Sequence, residues 1–103
     1  KLATKLGAKQ ETLYGLSGIG DLVLTCTSPQ SRNFSYGFSI GANLGTKLSS
    51  TVEGIATARA VLKLSTKHGV DMPITKGVVD IIDGSKSVGL VLSTLLERPL
   101  AKE

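Results

Sequence analysis

Between Gly15 and Asn33 the sequence gathers three glycines, one aspartate, several hydroxyls, an amide and one arginine. Ser31, Arg32 and Asn33 come just after a break at Ser28-Pro29 and open a periodic segment carrying Phe34, Phe38, Ile40 and Leu44, so three polar side chains crowd the first turn of an expected helix. Free backbone N–H groups and the positive end of the helix dipole already favour an anion there. The arginine fork adds paired donors that match a phosphate or carboxylate. Asp21 cannot share that anion, because two negative groups repel. It is better suited to accept hydrogen bonds from hydroxyls on the uncharged part of the same ligand. Gly15, Gly18 and Gly20 permit close backbone approach and φ > 0, and Leu22, Val23 and Leu24 after Asp21 are expected to form an apolar wall.

Each of these residues also has an ordinary structural reading, and residue chemistry alone leaves both open. For an aspartate after a glycine, helix capping is the commoner job, and Arg32 can be a solvated surface arginine. Thr25 can satisfy its hydroxyl on a backbone carbonyl. Glu53 stands where a capping box places its glutamate, and sequence physics favours that role over a ligand contact. The glycines read G-x-x-G-x-G with no strand before them, which fails the context of a dinucleotide fingerprint. His68 has no cysteine or second histidine near it in sequence, so no metal site is expected.

The elements needed to position these groups are helical. Lys1 to Leu6 reads as a helical turn stopped by Gly7, and Lys9 to Tyr14 as a short helix ending at Gly15. Leu22 to Thr27 fits a buried strand or a buried helix. Helix is favoured, with Asp21 at the N-terminal end where a carboxylate is stabilised. Ser31 to Asn43 forms the next helix, and Gly45 to Ser49 a loop. Ser50-Thr51-Val52-Glu53 then matches a capping box before Ile55, Ala58, Val61, Leu62 and Ser65 on one face. Gly69 is placed to close that helix. Ile74, Val78, Ile81 and Ile82 make a further apolar stripe closed by Gly84, and Ser85 can cap a last helix carrying Val88, Val91, Leu92 and Leu95. The expected fold is an all-α bundle of some six helices, with residues 1–103 as one domain.

Size and composition exclude much else. The chain has 103 residues, 41% of them hydrophobic, with four aromatic side chains and no tryptophan, so its core is aliphatic. The net charge of +4 comes from lysines and arginines spread along the whole length. Such a diffuse surplus reads as a solvated surface, not a nucleic-acid site. Cys26 is expected to be a buried structural thiol in a reduced cytoplasmic protein. No stretch reaches the roughly 18 apolar residues of a membrane span. The chain opens without Met inside an amphipathic segment, which suggests a fragment of a longer protein.

Gly15-Leu16-Ser17-Gly18-Ile19-Gly20-Asp21-Leu22-Val23-Leu24-Thr25-Cys26-Thr27, then Gln30-Ser31-Arg32-Asn33, then Val52-Glu53-Gly54, closely resembles bacterial NAD(P)-dependent sn-glycerol-3-phosphate dehydrogenases. Gly69-Val70-Asp71-Met72-Pro73-Ile74 resembles the same family, and the likeness covers essentially the whole chain. It implies the helical substrate-binding domain shared with 6-phosphogluconate dehydrogenases, separated here from the family's Rossmann domain. It further implies interconversion of dihydroxyacetone phosphate and glycerol 3-phosphate with NAD or NADP, feeding glycerophospholipid synthesis. Carried over residue by residue, substrate contacts fall on Asp21, Thr25, Ser31, Arg32 and Asn33, and cofactor contacts on Arg32, Thr51 and Glu53. Thr51 departs from the family pattern, where many members carry valine. The family's catalytic lysine has no match in Lys1, Lys5 or Lys9, so no catalytic residue is expected in these residues. The implied partners are the Rossmann domain and a second copy, with self-association through uncovered apolar surface. The alternative is a non-catalytic helical interaction or dimerisation module, and a weaker one is a diffuse polyanion binder.

Overall fold

The computed structural model describes residues 1–43 and 52–99. The expected loop at 45–49, the Ser50 and Thr51 positions of the capping box, the Thr51 cofactor contact and the tail at 100–103 lie outside the described residues. The described elements are all helical: α1 (Leu2–Lys5), α2 (Gln10–Tyr14), a π-turn (Leu16–Gly20), α3 (Asp21–Thr27), α4 (Arg32–Gly41), α5 (Glu53–Lys67), α6 (Pro73–Ile82) and α7 (Val88–Leu96). They divide into two compact units, Lys1–Gly54 and Ile55–Glu103.

In the first unit, α1 stops where Gly7 turns to φ +97, with the Ala8 N–H on the Ala3 carbonyl at 2.9 Å and the Gly7 N–H on Thr4 at 3.1 Å. That is the Schellman pattern, and a glycine adopts its left-handed residue without a Cβ penalty. The glycine-rich stretch departs from expectation. Positive φ among the described glycines occurs at Gly7, Gly69 and Gly84, and not at Gly15, Gly18 or Gly20. Instead the stretch winds as a π-turn that continues without a break into α3, Gly20 having φ −60 and ψ −47. Gly18 is still required there, because a Cβ would collide with the Leu13 carbonyl. The demand is for closeness, not for a left-handed backbone.

The apolar wall is also corrected. Leu22, Val23 and Leu24 are 59%, 56% and 71% exposed, so α3 presents these side chains outward. Cys26, expected to be buried, is exposed on the same helix. A seven-residue helix joined end-on to a π-turn has too few neighbours to cover its whole circumference, which periodicity alone does not reveal.

In the second unit, α5 ends as expected: Gly69 has φ +64, the Val70 N–H reaches the Ser65 carbonyl at 2.9 Å, and Gly69 reaches Thr66 at 3.2 Å. The Ser65 side chain, 2% exposed, donates its hydroxyl to Leu62 at 2.8 Å. Pro73 opens α6 at a position whose N–H would be unpaired in any case. Gly84, at φ +73, closes it. The packed face of α6 differs from the expected stripe. Gly77 and Val79 are buried while Ile74 and Val78 are 69% and 41% exposed. Gly77 sets that rotation, since its missing Cβ lets Val91 Cγ1 of α7 come within 2.7 Å of where a methyl would sit. On α7, Val91 is buried but Leu92 is 54% exposed. Its cap is Ser87, whose hydroxyl accepts from the Leu90 N–H at 3.2 Å. Ser85, the expected cap, donates to the Asp80 carbonyl at 3.1 Å and so belongs to the end of α6. Arg59 clasps Asp83 through Nη2 at 2.7 Å and Nε at 3.3 Å, tying α5 to the residue that ends α6.

Candidate functional site

All the described site residues lie in the first unit, at the starts of three helices except for Thr25, the fifth residue of α3. Asp21 is the first residue of α3. Gly20, not Asp21, holds the cap position, and the helix start has no side-chain cap hydrogen bond. The capping role left open for Asp21 is therefore not the one it takes, and its exposed carboxylate stands at the positive end of the helix. Four residues on, Thr25 Oγ1 donates to the carbonyls of Asp21 at 3.0 Å and Leu22 at 3.2 Å. Its proton is thus spent on backbone, and toward any ligand the hydroxyl oxygen serves as an acceptor.

Ser31 caps α4 by accepting from the Phe34 N–H at 3.3 Å, as its place after the Ser28-Pro29 break requires. Arg32 and Asn33 then occupy the first two helical positions, where backbone N–H groups have no partner within the helix. Ser35 Oγ donates to the Pro29 carbonyl at 2.6 Å and ties α4 to the segment just before it. Phe34 and Phe38 stack at 6.3 Å between ring centroids along the same helix.

The start of α5 meets this turn. Arg32 Nη2 lies 3.8 Å from Glu53 Oε1, with the two side chains 56% and 78% exposed. An ion pair this long and this open contributes at most about 0.5 kcal/mol to stability. Most of the guanidinium fork stays available for an anion, and the carboxylate for donors. The second link is tighter: the Gly54 N–H donates to Asn33 Oδ1 at 2.9 Å across 21 residues of sequence. The structure thus brings together Arg32, Asn33, Glu53 and Gly54, with Ser31 fixed beside them. Among the described residues the Asp21 carboxylate makes no hydrogen bond or ion pair to this group. Sequence reading places Gly54 in the Val-Glu-Gly turn but does not reveal its partner. The available signal is a glycine inside a helical start, which commonly marks close approach.

Among the described residues no cluster of His, Cys, Asp and Glu could hold a metal ion. No described helix is long and apolar enough to cross a membrane.

A family model described as the C-terminus of NAD-dependent glycerol-3-phosphate dehydrogenase matches residues 1–93. The glycerol-3-phosphate dehydrogenase (NAD(P)+) of Cereibacter sphaeroides is 54% identical over all 103 residues, which cover 34% of that protein. The corresponding protein of Paracoccus denitrificans is 52% identical, again over the whole chain and 33% of the relative. A crystal structure of glycerol-3-phosphate dehydrogenase from Coxiella burnetii matches with a TM-score of 0.85 at 39% identity, covering 94% of this chain and 31% of that one. The chain spans about a third of the length of the curated relatives it matches. With a family match across nine tenths of its residues, the chain belongs to the family of NAD-dependent glycerol-3-phosphate dehydrogenase C-terminal domains.

Proposed function

We propose that this chain is the substrate-binding part of a cytoplasmic dehydrogenase interconverting dihydroxyacetone phosphate and sn-glycerol 3-phosphate with NAD or NADP. The observation that carries the reading is the Ser31-Arg32-Asn33 turn at the start of α4, joined to Glu53 and Gly54 at the start of α5. A guanidinium, a carboxamide and unpaired backbone N–H groups suit a phosphate dianion, and Asp21 and Thr25 supply acceptors for alcohol groups. Residues 1–103 act as one substrate-binding domain in this proposal.

The donor set at the same turn fits a dinucleotide. An exposed guanidinium can meet its phosphates, and the exposed Glu53 carboxylate can accept from its amide or hydroxyl groups. When bound, the nicotinamide supplies or receives the hydride. The chain's own residues hold the phosphate, orient the alcohol carbons and help keep water from the reacting face. About two thirds of the relatives' length has no counterpart in these 103 residues, and the cofactor-binding domain and proton-shuttling lysine implied by the family belong there.

The second reading, a helical interaction module, is favoured by one feature. Leu16 and Leu24 are 92% and 71% exposed, an apolar surface that a second copy or the family's cofactor domain would cover. Thermal unfolding separates the two readings. Glycerol 3-phosphate at about a hundred times its Kd should raise the midpoint by on the order of 10 °C, and glycerol at the same concentration should not. No shift with either compound would favour the interaction module.

A further inference from the structure

Resting on the proposed reading of the site, we infer that Gly54 is a positioning residue whose backbone N–H holds the Asn33 carboxamide oxygen, so that Asn33 offers only N–H donors to the anion beside Arg32. A carboxamide carries an acceptor on one atom and two donors on the other, and its orientation is set by what it is bonded to. Here the partner is a backbone N–H, which can only donate, at 2.9 Å from Oδ1. That fixes Nδ2 as the atom left for a ligand, where a flipped amide would set an oxygen against a phosphate.

The arrangement also explains the glycine. Gly54 is the second residue of α5, where the backbone N–H lacks a partner within the helix, so Asn33 caps α5 from 21 residues away. A Cβ at position 54 would lie 2.5 Å from Asn33 Oδ1 and 2.9 Å from Cγ. The carboxamide is the movable partner, so alanine displaces it and leaves the helix intact. Alanine is also the better helix former, and the substitution is therefore not expected to act by unfolding α5. The one hydrogen bond ties the phosphate-facing turn to the cofactor-facing turn, so each is set by the other.

The test is a double-mutant cycle on the 103-residue chain, with glycerol 3-phosphate affinity read by isothermal titration calorimetry. Asn33→Ala and Gly54→Ala are each expected to weaken binding about tenfold. The double variant should be no weaker than Asn33→Ala alone, within about twofold, because both remove the same oriented donor. Additive losses, on the order of a hundredfold in the double variant, would overturn the inference. Arg32→Ala is measured alongside: if it binds as tightly as the wild-type chain, or if the wild-type chain does not bind, the site reading itself fails. A ligand-free measurement keeps the two apart. The Gly54 amide should exchange slowly with solvent in the wild type and rapidly in Asn33→Ala, whereas rapid exchange in the wild type would sink the inference without touching Arg32.

Discussion

Replacing Arg32 with alanine is expected to weaken glycerol 3-phosphate binding by roughly a hundredfold, since a bidentate guanidinium–phosphate pair is worth about 3 kcal/mol and tenfold in affinity is about 1.4 kcal/mol. The same change should barely alter stability. Its partner in the structure, Glu53, is 3.8 Å away and 78% exposed, so little folding energy is lost with the pair. Calorimetric titration beside a urea unfolding curve checks both halves. Lysine at the same position should recover only part of the affinity, because an ammonium is a point charge without the planar fork. Equal binding by wild type and Arg32→Ala would remove the guanidinium from the site.

The isolated 103-residue chain is expected to show no oxidation of NADH with dihydroxyacetone phosphate, and co-expression with the remaining two thirds of a relative such as the Coxiella burnetii protein should restore it. The physical reason is the hydride step, which needs donor and acceptor near contact and solvent held away. In the proposed reading these residues supply the turn that holds the phosphate, and the proton-shuttling lysine implied by the family lies in the other two thirds of the relatives' length. An absorbance assay at the NADH band decides it. Turnover by the purified chain alone would show that the division of labour proposed for the family does not apply here.

Element ends were readable from the sequence where one residue type has one physical job. Glycines at positions 7, 69 and 84 stop helices because they turn to positive φ, and each does so with the paired bonds of a Schellman cap. Ser31, placed by the Ser28-Pro29 break, opens α4 by the same logic, whereas Pro73, which reads as the end of an extended connector from Val70, is the first residue of α6. The π-turn was not readable, since bonds to the fifth residue leave no pattern distinct from an α-helical turn. Burial was read less well than helicity. The exposure of Leu22 to Leu24 and of Ile74 depends on which faces find neighbours, and for α6 a single glycine against Val91 decided it.

The candidate site divides the same way. Ser31, Arg32 and Asn33 are adjacent in sequence, so one cap places all three on a helical turn. Their meeting with Glu53 and Gly54 crosses some twenty residues, and local chemistry could not foresee it. Residue physics alone favoured Glu53 as one half of a capping box. The described structure puts its carboxylate beside Arg32, while Gly54, the next residue, receives its cap from Asn33.

In the proposed site a phosphate-bearing polyol seats at the start of α4, against the start of α5. Titrating glycerol 3-phosphate into the isotopically labelled chain and following backbone and side-chain amide signals tests it most directly. The largest shifts are expected at Arg32, Asn33, Phe34 and Gly54, with Asp21 and Thr25 following at the same ligand concentration. Shifts confined to α6 and α7, or none at saturating ligand, would contradict it.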